Sequence, residues 1–169
     1  MSGIIGRASG HGSGIVGAEG RIGQTCTLSW SSSLSNSSGL QHLTGYTTII
    51  YTAPEMYTPV STGITVKYAA VYFVKISIYI SVKTGSASNY TQNGLAHSGN
   101  TRDDRVYCIF SADGSYGGHR QTIFASNVID LVAGRTYGLW NSIQDGNRNI
   151  NGATDNCMTG ITLTYMSEA

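Results

Sequence analysis

The chain is poor in charge and in long apolar runs, and each absence excludes a class of protein. Charged residues make up 11% of its 169 residues, against about 25% in typical soluble proteins. The formal net charge is +1 and the cations are scattered, so the concentrated positive charge that binds phosphate backbones is missing. No stretch reaches the length of a membrane span, and no charged leader precedes an apolar run. We expect a protein that is made in a cytoplasm, binds no nucleic acid, inserts into no membrane and belongs in an assembly.

Cysteine is also scarce, and its placement indicates neither a disulfide framework nor a metal site. Cys26, Cys108 and Cys157 lie far apart and form no Cys-x-x-Cys pair, so we predict buried small apolar residues. The histidines stand alone, without the short spacing of a zinc site. They are His11, His42, His97 and His119. Because a domain of this length buries about two thirds of its unfolded surface, we predict no metal and no cofactor.

Helical periodicity is absent, whereas strand periodicity is strong. In residues 71–83 the even positions are apolar, and the odd positions from Lys75 onward are polar or tyrosine. This alternation predicts a half-buried strand. After a short first strand within 24–45, the other predicted strands are 47–52, 64–69, 106–111, 121–124, 128–132, 136–143 and 159–166. Many short strands between glycine-rich turns predict an all-β fold, an antiparallel sandwich or barrel.

The first 23 residues form a glycine-rich segment of a different kind. Residues 2–6 read Ser-Gly-Ile-Ile-Gly and residues 13–17 read Ser-Gly-Ile-Val-Gly, so an aliphatic pair recurs eleven positions later. Glycine raises the cost of ordering a chain and supplies no packing surface, so this segment builds no core of its own. We predict a docking arm over 1–23 and a folded domain over 24–169. The docking side chains of the arm are Ile4, Ile5, Ile15 and Val16.

No group of residues marks a catalytic centre. Residues 12–17 match the Gly-x-Gly-x-x-Gly pattern of dinucleotide sites, but no strand precedes them and no helix follows, as such a site requires. The pair Asp103-Asp104 lies between two arginines, which favours a solvated ion-pair loop over paired catalytic carboxylates or calcium ligands. A Ser-His-Asp site stays open, because triads are assembled by geometry rather than by sequence order. We predict that the chain is not an enzyme.

Tyrosine is abundant, with 11 residues, and tyrosine buries a large rigid area both in cores and in interfaces. Tyr79 differs from the others because it lies on the polar face of its strand. Two interpretations stay open for it: an exposed or intersubunit side chain, or an ordinary core residue.

The second half resembles the jelly-roll heads of the tumour-necrosis-factor and complement globular-head superfamily. Residues 70–76, Ala-Val-Tyr-Phe-Val-Lys-Ile, are similar to the central aromatic strand of that family. Residues 122–135 and 156–163 are similar to its late signature, with a Leu-x-Ala-Gly turn and a Thr-Gly pair before the last strand. Ala70 stands where the family has glycine, and Arg135 where it has an acidic residue, so the resemblance implies no ligand specificity.

This resemblance implies a jelly roll that assembles as a homotrimer. In such heads, residues of the late strands lie near the threefold axis. By the matching pattern, Phe124 and Met158 occupy those positions. They are therefore the trimer contacts that we predict.

The opening Met-Ser-Gly-Ile-Ile-Gly is similar to the start of many small virion proteins of marine bacteriophages, in which a glycine-rich leader precedes a β-rich head. Together the two resemblances imply a virion structural protein whose arm binds other virion proteins. Tyr90 and the asparagine-rich residues 147–151 favour a tail-associated fibre or receptor-binding head that attaches to a host glycan or other receptor. Capsid decoration is the alternative, since a chain this short carries no fibre shaft. A polysaccharide-degrading tail enzyme is a third reading, but it needs two facing carboxylates, and no pair of aspartates is marked by its surroundings.

Overall fold

The computed structural model describes residues 20–35, 39–51, 53–82, 89–97, 101–112, 120–143, 148–151 and 158–169. Every regular element among them is a β-strand, which confirms the all-β fold. The strands are β1 Thr25–Trp30, β2 Ser33–Ser35, β3 Gly39–His42, β4 Tyr46–Tyr51, β5 Tyr57–Val60, β6 Gly63–Val66, β7 Ala70–Val82, β8 Asn89–His97, β9 Thr101–Ala112, β10 Arg120–Leu131, β11 Thr136–Ile143, β12 Arg148–Asn151 and β13 Thr159–Glu168. In this described part of the chain, no helix is long and apolar enough to cross a bilayer.

The strands form two sheets, and every described pair of neighbouring strands within a sheet is antiparallel. The seven-stranded sheet has the order β2-β12-β7-β13-β1-β4, with β10 paired to the other side of β7. The five-stranded sheet has the order β5-β6-β11-β8-β9. Residues from both sheets share one hydrophobic core, so the domain is a β-sandwich.

Strand β7 is central to the seven-stranded sheet, and its side chains alternate as predicted. Its even-numbered residues from Ala70 to Ile80 are buried. Of the odd-numbered residues Lys75 is exposed, whereas Ser77 and Tyr79 are also buried. Of the buried even-numbered residues, those larger than alanine are Tyr72, Val74, Ile76, Ile78 and Ile80. Each contributes about 1.5 to 3 kcal/mol by leaving water. Tyr72 also packs edge-on against Tyr57 and Tyr165, with ring centroids 6.1 and 5.7 Å away, so this aromatic contact reaches from one sheet to the other.

The strand bounds depart from the predicted ones where polar residues interrupt the pattern. The predicted strands 121–124 and 128–132 are one strand, β10, because residues 125–127 keep their pairing with β7. Residues 136–143 form β11 as predicted. The serine-rich segment after β1 contains β2 and β3 rather than a loop alone. Strand β8 was not predicted, because its sequence is polar, contains glycine and shows no alternation.

The predicted solvated loop at Asp103 is wrong, because this residue lies within β9 and is 6% exposed. Arg105 donates from Nε and Nη2 to the two carboxylate oxygens of Asp103, at 2.8 and 2.7 Å. Arg105 Nη1 also donates to the carbonyl oxygen of Asp130 at 3.1 Å, and Asn127 Nδ2 donates to the Arg105 carbonyl oxygen at 3.0 Å. Strand β9 belongs to the five-stranded sheet and β10 to the seven-stranded sheet. These four residues therefore join the two sheets along one side, and we call them the edge clasp.

Gly94 of β8 lies beneath the indole of Trp140 in β11, its partner across the sheet. A Cβ atom at residue 94 would lie 2.6 Å from Trp140 Nε1. We predict that Gly94→Ala lowers the free energy of unfolding by about 3 kcal/mol, because the fully buried indole has to repack. Urea unfolding followed by circular dichroism measures the loss. In the control Gly134→Ala, the Cβ meets open space but φ is +77°, and the expected loss is about 1 kcal/mol. A larger loss in the control than at residue 94 would contradict this packing.

The edge clasp makes the free energy of unfolding depend on pH in the acidic range. Burial raises the pKa of the Asp103 carboxyl, but the hydrogen bonds and the charge of Arg105 outweigh it and hold that pKa below its ordinary value. Because the folded state has the lower pKa, this stabilisation is present above the unfolded-state pKa of about 4 and is lost as the pH falls below it through the folded-state value. We predict that Asp103→Asn removes this part of the acid dependence and lowers stability at neutral pH by about 2 kcal/mol.

Urea unfolding midpoints measured through that pH range test the edge clasp. Asp104→Asn is the matched control, since Asp104 pairs with Arg102 at 3.1 Å but both side chains are well exposed. Loss of this exposed ion pair should change neither the stability nor its pH profile by much. The same acid dependence in the wild type and in Asp103→Asn would exclude the edge clasp as its source.

Candidate interaction face

The seven-stranded sheet turns one side to the core and the other side away from it. We call the second side the outer face. On β7 it holds Val71, Phe73, Lys75, Ser77 and Tyr79. On β10 it holds Thr122, Phe124, Ser126, Val128 and Asp130, which lie opposite those β7 residues in register.

Paired hydroxyl groups occupy the outer face between β1 and β13. The Oγ1 atoms of Thr25 and Thr164 are 3.0 Å apart, as are those of Thr27 and Thr162. Both pairs stand directly opposite each other in the register of the two strands. Because each hydroxyl already has a partner, another protein surface can cover this region without leaving these groups unsatisfied.

Charge is sparse on the outer face. Among the positions that the register places on this face of β7 and β10, the charged residues are Lys75, Arg120 and Asp130. Lys75 Nζ lies 5.0 Å from the centroid of the Phe124 ring, a distance typical of a cation–π contact. A sheet face with little charge and satisfied hydroxyl groups has the composition of an interface core.

The two predicted trimer contacts lie in the same part of the sheet. Phe124 is 59% exposed, and Val128 on the same strand is 51% exposed. Met158 is partly buried and immediately precedes β13. Ser77 of β7 pairs with Phe124 on one side and with Gly160 of β13 on the other, so the register places Phe124 and Met158 on opposite sides of β7. Their contact with other copies of the chain stays a prediction.

Tyr79 differs from the expectation of an exposed side chain. It lies on the outer face, as its polar neighbours indicate, but it is 5% exposed and does not belong to the shared hydrophobic core. It is therefore neither exposed nor an ordinary core residue. Its backbone N–H donates to the Thr159 hydroxyl at 2.9 Å. The predicted docking residues Ile4, Ile5, Ile15 and Val16 lie outside the described residues, as do Cys157, His11 and His119.

Two exposed apolar residues of β9 were not singled out by the sequence pattern. Tyr107 and Ile109 point away from the core and are about half exposed, and the edge clasp holds their strand beside β10. The sequence did contain evidence for their exposure. Residues 106–109 are all apolar, so a strand over them has apolar side chains on both of its faces. Tyr107 and Ile109 of β9, with Phe124 and Val128 of β10, are exposed apolar residues of two edge strands, and we call this set the apolar edge.

The described residues offer a contact surface rather than reactive groups. Burial raises the pKa of Cys26 to about 12 and that of Cys108 to about 11, so both thiols stay protonated at neutral pH. Cys26 is fully buried, as predicted. Within the described ranges, no three His, Cys, Asp or Glu side chains come together as a metal site.

Different strands begin and finish at the two ends of the sandwich. At one end β1 begins and β13 finishes, where Thr25 pairs with Thr164. Residues 20–24 precede β1 there, and Gly23 N–H donates to the Tyr165 carbonyl oxygen at 2.9 Å. We call this the arm end. At the opposite end, which we call the loop end, β7, β9 and β11 finish and β8, β10 and β13 begin.

No family model matches the chain, and no curated protein matches it. Solved structures do match it. Eiger TNF from S. frugiperda superposes with a TM-score of 0.60 at 17% sequence identity, over 88% of this chain and 96% of that one. Murine APRIL superposes with a TM-score of 0.59 at 10% identity, over 85% of this chain and 98% of that one in its pH 8.5 structure. Its pH 5.0 structure gives the same TM-score. Identities this low establish the fold alone, and that fold is the TNF-like jelly roll that the sequence resemblance implied.

Proposed function

We propose that this chain is a structural protein of a bacteriophage virion, a homotrimeric head that is held to other virion proteins by its arm and attaches the particle to its host. The observation that carries the proposal is the opposition of the arm end and the loop end. Residues 20–24 enter β1 at one end of the sandwich, and strands β7, β9 and β11 finish at the other. The opening Met-Ser-Gly-Ile-Ile-Gly, similar to those of phage virion proteins, supports a virion as the assembly.

A homotrimer accounts for the composition of the outer face. In our proposal the apolar edge of one copy packs on the outer face of the next, and a threefold operator closes the ring. The two surfaces share Phe124 and Val128 of β10 and otherwise consist of different residues, so each copy uses both. The threonine pairs between β1 and β13 can be covered without loss of hydrogen bonds. Lys75 retains its contact with the Phe124 ring when it is covered.

The arm supplies the anchor. Three arms leave such a trimer from the arm end, and each carries two aliphatic pairs. Burying the four side chains contributes about 1.5 to 3 kcal/mol each. Three linked arms also bind with avidity, because the first contact raises the local concentration of the other two. The trimer is thus held by the sum of weak contacts.

The loop end then faces away from the particle and is available to a host receptor. Strand β8 begins there with Asn89 and Tyr90, and β12, with Asn149 and Asn151, pairs beside the end of β7. Amide and phenol groups donate and accept hydrogen bonds, which suits a glycan receptor. Capsid decoration needs the same anchor and the same trimer, and it differs in the number of copies that each particle carries.

Phe124→Asp should dissociate the trimer, because the substitution places a charge at the centre of the surface that we propose to be buried. Light scattering coupled to size exclusion measures the mass. We expect the mass of three chains for the wild type and of one chain for the variant. Val132→Asp is the matched control, since Val132 is similarly exposed but follows β10 at the arm end, and it should leave the trimer intact. A wild-type monomer, or a trimeric Phe124→Asp variant, would refute the proposed interface.

Replacing Ile4, Ile5, Ile15 and Val16 with serine should yield a folded trimer that no longer joins particles. The aliphatic pairs are lost while the glycine-rich backbone is kept. Sedimentation of particles assembled with tagged protein measures the incorporation, which we expect to fall about a hundredfold. The control replaces Ser9 and Ser13 with alanine and should incorporate normally.

Normal incorporation of the serine variant would overturn the docking role of the arm. Counting wild-type copies on intact particles separates the two virion roles. A few trimers at one vertex identify an attachment head, and hundreds spread over the shell identify a decoration protein.

A further inference from the structure

Strand β4, Tyr46–Tyr51, forms one edge of the seven-stranded sheet. Among the described residues it pairs as a strand with β1 alone, and the Tyr46 N–H at its start donates to the Ser61 carbonyl oxygen. The backbone groups on the other side from Thr47 onward are therefore the ones available to a further strand. Edge strands are ordinarily protected by charge, by proline, by a bulge or by a covering element. The sequence of β4, Tyr-Thr-Thr-Ile-Ile-Tyr, contains neither a charge nor a proline.

The side chains of β4 also favour an added strand. Ile49 and Ile50 are 52% and 45% exposed. Ile50 pairs with Thr27 and Thr48 with Leu28, so a one-residue bulge in β4 lies at Ile49. An open backbone edge that carries exposed β-branched side chains is the kind of site that binds an extended segment by strand addition.

The arm has the composition of such a segment. Its glycines allow close backbone approach, and each aliphatic pair offers two side chains to match Ile49 and Ile50. The pairs are eleven residues apart, about 36 Å when extended, whereas β4 spans about 20 Å. One β4 edge therefore accommodates one pair. The arm enters at the arm end, where Tyr51 of β4 pairs with Cys26.

Chain direction decides which copy supplies the arm. Strand β1 runs from the arm end to the loop end, and β4 runs back towards the arm end. An arm that leads into its own β1 would therefore lie parallel to its own β4. The arm of a copy in another trimer, reaching β4 from the loop end, can lie antiparallel, which is the more stable pairing. Extended, residues 1–19 reach about 60 Å, which is enough to cross to a neighbour.

We propose that β4 of one copy binds, as an added antiparallel strand, an aliphatic pair from the arm of a second copy. The proposal rests on the docking role of the arm and names its partner. Strand β4 lies at the opposite edge of the sheet from β10, with β1, β13 and β7 between them. The site is therefore separate from the apolar edge that we propose for the trimer.

Disulfide trapping between co-expressed full-length copies tests this proposal. One copy carries Ile50→Cys, and a second, differently tagged copy carries Ile4→Cys or Ile15→Cys. After mild oxidation, a denaturing gel should show a disulfide between the two tagged chains, about tenfold more abundant than with Val132→Cys in place of Ile50→Cys. The wild-type chain is the blank for its own cysteines, of which Cys26 is buried.

The other outcomes overturn the proposal in different ways. No product above the Val132→Cys control would exclude β4 as the acceptor of the arm. A disulfide formed only within one chain, in a variant carrying both Ile15→Cys and Ile50→Cys, would show that each arm closes on its own protomer. If trapping fails while the serine variant of the arm still fails to join particles, the docking role stands and its partner is another surface. If the serine variant joins particles normally, the docking role itself is wrong.

Discussion

The rest of the structure depends on β7 being hydrogen bonded along both of its sides. Twelve consecutive residues pair with β10. On the other side, β13 covers the first part of the strand and β12 covers the last part. Because strand side chains alternate, this one element fixes which residues enter the core and which form the outer face. A slip of one residue would exchange the two sets and expose Ile76 and Ile78, so burial of the core also determines which residues form the outer face.

The sequence predicted this central element because its even positions are all apolar and its odd positions alternate with them from Lys75 onward, and it predicted β11 as a segment rich in aromatic and aliphatic residues between two glycine-containing turns. It did not predict β8, where Asn93 and Gly94 break the pattern. Gly94 can be understood only with its partner Trp140, which lies 46 positions later in the chain and covers it. Such a requirement is tertiary, and no local pattern records it.

The sequence indicated some residues of the outer face and the apolar edge and missed others, for similar reasons. Phe124 was singled out as a trimer contact by the family resemblance, since its strand was predicted as two fragments and alternation alone did not place it on a face. Asp103 was misplaced because neighbouring charges in a sequence resemble a solvated loop, whereas its burial depends on an arginine that also bonds to the carbonyl oxygen of Asp130. The exposure of Tyr107 follows from its position on an edge strand beside β10, which required the sheet order.

A consequence follows from the pairing of β1 with both of its neighbours. If the arm is the tether and the loop end holds the host, tension on the particle enters the domain through Gly23 and Thr25 and runs along the axis of β1. Antiparallel strands pulled in this direction shear, so the hydrogen bonds to β13 and β4 share the force and must break together. Pulled from the side, the same bonds would open one after another. In that case the tether pulls in the direction along which these hydrogen bonds have to break together.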